Sequence, residues 1–268
     1  MRLADAKILL TGASGGIGRA LALALAEGGA RLVVAGRQAG PLAELAARHP
    51  GRIVSVSADL TTREGRDAVE AAVDEAGGVN VLVNAAGVNA FAFLEAQDEE
   101  AIAALVSLNA TATMQLTARL LPRLRRAPAA LVVNVGSTFG SIGYPGFAAY
   151  CASKFAIRGF SQALRRELAD SRVKVLYLAP RATRTAMNDG PIVAMNAALR
   201  VAMDPPAEVA GQIVEAIERE REEVYLGWPE RLFVRLNGLW PRLVDRSLRR
   251  QLPVIRRFAR PDPPQEPA

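Results

Sequence analysis

Cysteine, histidine and long apolar runs are what this chain of 268 residues has least of. Cys151 is its one cysteine, so no intramolecular disulfide can form, which fits a reducing compartment. His49 is its one histidine and precedes Pro50 in a polar stretch expected to be exposed. With one of each, no Cys/His cluster has metal-ligand spacing, and no metal is expected. No run of about eighteen apolar residues marks a membrane span. The opening residues MRLADA pass straight into an apolar strand-like run, without the basic, hydrophobic and small-residue order of a secretory leader. A cytoplasmic location is therefore expected. Acidic residues are scarce in one place: between Arg231 and Arg260 nine arginines face only Asp245, a charge of +8, whereas the whole chain carries +6. The basicity belongs to that end, so no nucleic-acid-binding fold is expected.

Half of the residues are apolar and 22% are charged, the balance of a soluble globular protein, and the length allows one large domain with a sizeable core. Short apolar or β-branched runs alternate with longer Ala- and Leu-rich helical patterns. That alternation predicts a doubly wound α/β domain, a parallel sheet with helices on both faces. Seven strands are predicted, at Lys7–Leu10, Arg31–Ala35, Ile53–Ser57, Val79–Asn84, Leu131–Val135, Lys174–Ala179 and Val224–Leu226. Helices are predicted at Gly16–Glu27, Pro41–Arg48, Arg63–Glu75, Glu99–Arg125, Ala148–Ala169 and Ala207–Glu218. Pro41 suits a first helical turn, and Thr62 suits the cap of the helix after it. The chain reads as one domain over 1–228, a basic amphipathic helical tail over 229–260 and a Pro-rich, disordered stretch over 261–268.

The first strand runs into Thr11-Gly-Ala-Ser-Gly-Gly-Ile-Gly18 and then into the helical run RALALALAE. Gly12, Gly16 and Gly18 have the spacing TGxxxGxG. One glycine permits a tight turn and another lets a diphosphate approach the backbone, while the helix N-terminus adds unpaired N–H groups. A dinucleotide is implied, held by Thr11, Gly12, Ser14, Gly15, Gly16, Ile17 and Gly18. The end of the second strand then selects the cofactor. A carboxylate there would bind ribose hydroxyls and repel a 2′-phosphate. This strand ends in Gly36 and Arg37, and Arg37 can pair with that phosphate in a forked geometry. NADP(H) is favoured over NAD(H). Asp59, with Leu60 beside it after the third strand, is placed either to accept from the adenine amino group or to cap its loop.

Asn84-Ala85-Ala86-Gly87 closes the fourth strand with small residues that let a cofactor pass close to the backbone. Ser137 follows the fifth strand. Tyr150 and Lys154 lie one turn apart on the next helix and so share a face. All of these open on the carboxyl edge of the sheet, where ligands bind in such folds. Together TGASGGIG, NAAG, a serine thirteen residues before a tyrosine, and Tyr-x-x-x-Lys resemble the short-chain dehydrogenase/reductase family, from Lys7 to Leu226.

That resemblance implies a Rossmann-type fold and an enzyme that interconverts a ketone and a secondary alcohol. Tyr150 would be the general acid in reduction and the base in oxidation, and Ser137 would donate to the carbonyl oxygen. Lys154 would hold the nicotinamide ribose and lower the Tyr150 pKa. A phenol ordinarily titrates near 10, and an ammonium about 5 Å away would lower that by about two units. Asn109, in the long helix after the fourth strand, matches an asparagine that holds a proton-relay water, or else satisfies a helix bend. A homodimer or homotetramer is implied as well.

One position departs from the family. After Pro180, where a glycine is usual, the chain has Arg181, followed by Ala-Thr183-Arg-Thr185. Thr185 aligns with the threonine that contacts the carboxamide, and Thr183 is a second candidate. Arg181 must change the backbone angle or point into the site; meeting an anionic substrate and lying at the surface are both open. Phe139, Tyr144 and Phe147, between Ser137 and Tyr150, either line a substrate cleft or simply pack. The stretch 186–203 is rich in Ala and Met and suits the cap of an apolar pocket. Cys151 is read as buried packing. In the tail Phe233, Leu236, Trp240, Leu243 and Leu248 recur at helical spacing with arginines opposite, and Pro241 would divide the run. Such a helix lies on an anionic membrane surface or packs on the domain or a second subunit. The leading reading is NADPH-dependent reduction of a small-molecule, hydrophobic or lipid-like ketone. The alternatives are an alcohol dehydrogenase working in oxidation and a nucleotide-sensing protein at a membrane or in a complex.

Overall fold

The computed structural model describes residues 1–188 and 190–259. The stretch 261–268, read above as disordered, lies outside the described residues. Strands β1 (Lys7–Thr11), β2 (Arg31–Gly36), β3 (Ile53–Ser57), β4 (Val81–Asn84), β5 (Ala130–Val135), β6 (Val173–Ala179) and β7 (Glu223–Tyr225) form one sheet in the order β3-β2-β1-β4-β5-β6-β7. Every pairing is parallel. The helices are α1 (Gly16–Glu27), α2 (Ala39–Arg48), α3 (Arg63–Glu75), α4 (Glu99–Val106), α5 (Thr113–Arg126), α6 (Ala148–Glu167), α7 (Gly190–Ala198), α8 (Pro206–Glu218), α9 (Glu230–Leu239) and α10 (Pro241–Phe258).

The period-two alternation of the strands sorts the core into two layers. On β1, Ile8 and Leu10 pack with Leu21 and Leu25 of α1, Leu42 of α2 and Ile213 of α8. Leu9, on the opposite face, packs with Val69 of α3, Leu116 and Leu120 of α5 and Leu164 of α6. Strand order reverses between β1 and β4, and a crevice opens there at the carboxyl ends of the strands. The Thr62 hydroxyl caps α3 by accepting from the Gly65 amide at 3.0 Å, and Pro41 lies in the first turn of α2. The stretch from α4 to α5 is long and apolar enough to cross a membrane, yet Leu116, Leu120 and Leu124 are fully packed on the sheet. A wide-turn π segment, Ser107–Ala112, joins the two helices and carries Asn109. His49 is half-buried rather than exposed.

Asn84 and Asn134 are register partners on β4 and β5, and their amides are bonded, Nδ2 of Asn84 donating to Oδ1 of Asn134 at 2.9 Å. The same Nδ2 donates to Thr117 of α5 at 3.1 Å, and Asn134 donates to Ser161 of α6 at 2.8 Å. A buried polar ladder therefore ties a helix, two strands and a second helix together.

The tail divides at Pro241, which begins α10. Among the described residues its buried ones are Val234, Val244, Ile255 and Ala259, with Ile255 packed on Phe147, Cys151 and Met195. The apolar stripe expected from the sequence is thus not one face: Trp240 and Leu243 are 59% and 55% exposed. The break at Pro241 resets the helical phase, so positions before and after it no longer share a side.

Candidate active site

The glycine-rich turn is built for close approach. Gly12 has φ 73°, and a Cβ there would lie 2.7 Å from the Ala85 carbonyl oxygen, while a Cβ on Gly18 would run into the Gly12 carbonyl. The turn therefore lies directly on the end of β4. Thr11, 1% exposed, fastens the two: its hydroxyl accepts from the amides of Ala85 and Ala86 at 3.1 and 3.2 Å. Helix α1 starts at Gly16, and its N-cap Gly15 has no side chain to cap it, leaving the first N–H groups for a ligand. Nothing lies within 4 Å of where a Gly15 Cβ would point.

A cleft of about 300 Å³ fills the crevice. Of the residues read as cofactor-binding, it is lined by Gly12, Ser14, Gly15, Gly16, Ile17, Gly18, Arg37, Leu60, Ala85, Ala86, Gly87, Tyr150, Lys154, Pro180, Thr183 and Thr185. Thr11, Asp59 and Asn84 do not line it. Thr11 and Asn84 are internal braces of the cleft. The Asp59 carboxylate accepts from the Thr61 amide and hydroxyl at 2.9 and 2.7 Å, shaping the turn before α3, and those bonds hold it below the usual carboxylate range. Sequence reasoning missed Gly36, Val88, Leu108 and Gly136 in the lining, small or apolar residues with no chemical signature of their own.

Ser137 and Tyr150 stand together in the cleft. The Ser137 Oγ accepts from the Phe139 amide at 3.1 Å, which leaves its proton free to be donated. Lys154 is 7% exposed; its ammonium donates to the Val135 carbonyl at 3.2 Å and lies 5.8 Å from the Tyr150 ring centre. The expected lowering of the phenol pKa is not what this arrangement gives. Burial pushes Tyr150 up to about 12, with Ser137 partly opposing the rise, and burial pushes Lys154 down to about 8. The expectation counted the attraction between the two groups and omitted the desolvation of each, which is the larger effect here.

Asn109, 1% exposed, spends its amide on structure: Oδ1 accepts from the Val88 amide at 2.8 Å, and Nδ2 donates to the Val88 carbonyl at 2.9 Å and to Ser153 at 3.0 Å. It does not line the cleft, but both it and Lys154 approach Gly87, where a Cβ would be 3.1 Å from Asn109 Oδ1 and 3.6 Å from Lys154 Nζ.

Arg181 keeps an ordinary backbone angle; among the described residues the non-glycine ones with positive φ are Arg200 and Glu220. Its guanidinium is fully engaged. Nε and Nη2 bind the two Asp204 oxygens at 2.8 and 2.6 Å, and Nη1 binds the Trp228 carbonyl at 2.9 Å and Glu230 at 3.2 Å. It walls the site without offering a free charge to an anionic substrate.

A second cavity, of about 240 Å³, adjoins the cleft and shares Ser137, Tyr150 and Arg181 with it. Phe139, Tyr144 and Phe147 line this cavity and also stack on one another, so both readings of them hold: Phe139 and Tyr144 are 4.8 Å apart between ring centres, Phe139 and Phe147 5.2 Å. Met187, Ile192 and Met195 cap it, as the Ala- and Met-rich stretch suggested. The outer wall was not foreseen. Phe233 of α9 and Val244, Leu248 and Gln251 of α10 close it, and Tyr144 donates to Gln251 at 3.0 Å. Cys151 is buried beside the cavity, and burial pushes its thiol up, which makes it packing rather than a nucleophile.

A parallel sheet with a glycine-rich first turn, and a serine–tyrosine–lysine set at its carboxyl edge, defines an oxidoreductase that works on a bound dinucleotide. The chain belongs to the short chain dehydrogenase family, whose model matches residues 6–193. It is 31% identical over 193 residues to the 3-oxoacyl-[acyl-carrier-protein] reductase FabG of Thermotoga maritima, covering 70% of this chain and 78% of that one. It is 30% identical over 276 residues to the oxidoreductase YxnA of Bacillus subtilis, covering 99% of this chain and 77% of that one. Among solved structures, a short-chain dehydrogenase/reductase from Burkholderia phymatum in complex with NAD superposes with a TM-score of 0.82 at 25% identity, over 91% of this chain and 96% of that one. One from Burkholderia cenocepacia in complex with NADP superposes with a TM-score of 0.79 at 26% identity, over 92% and 99%.

Proposed function

We propose that the protein reduces a hydrophobic ketone to a secondary alcohol with NADPH. The observation that carries this reading is the meeting of the glycine-rich cleft and the apolar cavity at Ser137 and Tyr150, which line both. A carbonyl held in the apolar cavity would present its oxygen to these two hydroxyls. A nicotinamide bound in the cleft supplies the hydride.

The chain's own part is proton transfer and positioning. The free Ser137 proton supports the carbonyl oxygen as negative charge develops on it. Tyr150 gives that oxygen its phenolic proton. An alkoxide is far more basic than a phenolate, so the transfer runs downhill even from a phenol near 12. Lys154, pushed down to about 8, then returns a proton to Tyr150 and recovers its own from solvent. A phenol that stays protonated through neutral pH is in the form that reduction needs.

The preference for NADPH rests on the end of β2. Arg37 is exposed at the rim of the cleft, and no carboxylate occupies position 36 or 37. Gly36 leaves room for Ser14, whose Oγ lies 3.1 Å from where a Cβ would be, so a hydroxyl and a guanidinium converge where a 2′-phosphate would sit. Asp59, the acid near enough to feel Arg37, is bonded to Thr61. A hydrophobic substrate is supported by the lining of the cavity, where Phe147, Met195, Phe233 and Val244 dominate the walls.

The test is oxidation of NADPH and of NADH against ketones of increasing apolar size, with Tyr150→Phe as control. NADPH-dependent turnover that grows with apolar size and falls about a thousandfold in the variant is the expected result. NADPH binding without turnover in either direction would replace the enzyme with a nucleotide sensor.

A further inference from the structure

We propose that the elbow between α9 and α10 docks on an anionic phospholipid bilayer, which places the apolar cavity beside the membrane. This goes beyond the catalytic reading and does not depend on it. The chain has two tryptophans, and both stand out from the surface of this tail region: Trp240, at the elbow, is 59% exposed, and Trp228, just ahead of α9, is 70% exposed. Leu239, Leu243 and Leu232 add 69%, 55% and 42%. Leu239, Trp240 and Leu243 occupy the turn itself, so the apolar groups form the tip of the elbow.

The charge around that tip has one sign. Arg231, Arg235, Arg242, Arg246, Arg249 and Arg250 are all exposed, and among the described residues none of them forms an ion pair. The acids of the two helices are Glu230, which is held by Arg181, and Asp245. Exposed Trp and Leu ringed by unpaired arginines match an interface whose headgroups are negative and whose acyl region begins a few ångströms below. A solvated tail would pair its charges and bury its tryptophans. A nucleic acid would use the arginines and leave the leucines without a partner. The inward stripe of α10, including Val244 and Ile255, is already packed on the domain, so docking requires no unfolding of the tail. The same two helices wall the cavity through Phe233, Val244 and Leu248, so a docked elbow brings that wall to the lipid surface.

The experiment uses the full chain and large unilamellar vesicles of phosphatidylcholine alone or with about one third phosphatidylglycerol. The expected result is co-sedimentation with the anionic vesicles only, weakened by high salt, with a blue shift of tryptophan emission. Trp240 lies at the elbow and Trp228 ahead of α9, so the emission of a Trp228→Phe variant reports on the elbow alone. Arg242→Gln with Arg246→Gln should weaken binding about tenfold or more. Trp240→Ser with Leu243→Ser should abolish it while leaving the melting temperature unchanged. Absence of binding, equal binding to neutral vesicles, or anionic binding that the Trp240/Leu243 variant retains would each overturn the proposal. So would an emission shift that follows protein concentration without vesicles, since the occupant would then be a second copy of the chain. None of these readouts involves turnover, so they stand apart from the fate of the reductase reading.

Discussion

The guanidinium of Arg181 and the carboxylate of Asp204 face each other through two hydrogen bonds, 2.8 and 2.6 Å long, in a setting where Asp204 is only 9% exposed. This pair fastens the segment after β6 to the segment before α8, and Arg181 also reaches the Trp228 carbonyl and Glu230 at the start of α9. It stands where the family usually has a glycine, and it replaces backbone freedom with a clamp. Arg181→Ala would leave a buried carboxylate without its partner, at a cost of about 2–4 kcal/mol. The expected outcome is a clear fall in melting temperature and a several-fold rise in KM for apolar ketones, with kcat less affected. A double variant with Asp204→Asn should recover part of the lost stability, and a purely additive cycle would show that the two residues do not act as a pair.

Lys154 carries a cost that pH should reveal. Its ammonium ordinarily titrates near 10.5 and is pushed down to about 8 by burial. Between those values the unfolded chain binds the proton and the folded chain does not, so stability rises with pH through that window. Below about 8 the penalty is fully present. Lys154→Met should therefore lose turnover yet gain about 2 kcal/mol in urea unfolding at pH 7, with the advantage shrinking by pH 9.5. Parallel stability curves for the two proteins would refute the buried ammonium. Above about 10 the raised Tyr150 works the other way, since the unfolded phenol releases its proton first.

Arg37 is exposed and contacts no acid directly, so its removal should leave stability unchanged. Arg37→Ala should raise KM for NADPH by about ten- to a hundredfold, the value of a lost charge-assisted contact, and leave NADH unaffected. Arg37→Asp should favour NADH outright. Steady-state kinetics with both cofactors would check this, and equal losses for the two would mean that Arg37 does not meet the 2′-phosphate.

Gly18 separates the turn from the helix by the thickness of one hydrogen atom. Gly18→Ala would drive its Cβ into the Gly12 carbonyl. Cofactor affinity measured by calorimetry should fall at least tenfold even if the protein stays folded. Retained affinity would show that the turn can shift without loss.

The fold was legible because each strand announces itself as a short apolar run and the first turn as glycines, and helices α1 and α3 match their predicted limits. The catalytic group was legible for a different reason: Ser137, Tyr150 and Lys154 are chemically unusual for where they stand. Side chains that brace the site sit in the same motifs as those that line it. Thr11 and Asn84 lie inside the cleft motif in sequence, but their polar atoms point into the protein. The outer wall of the cavity escaped because Val244 and Leu248 follow a helical phase that restarts at Pro241, and no local pattern tells which side of a tail will meet a pocket about a hundred residues upstream. The direction of the Tyr150 pKa was not legible because desolvation is a property of the folded surroundings, which composition does not encode.

The polar ladder from Thr117 through Asn84 and Asn134 to Ser161 has a kinetic meaning as well. Sliding β5 by one residue along β4 would strand buried amides on both strands, so the sheet has one register only. Ala85–Gly87 ride on β4, and Tyr150 and Lys154 ride on α6, which the ladder joins to it. Amide protons on β4 and β5 should therefore exchange with solvent only when the whole molecule opens, however mobile the cap and the tail become. The spacing of the reacting groups is then inherited from the slowest-moving part of the protein, and warming should loosen substrate capture well before it disturbs the proton transfer itself.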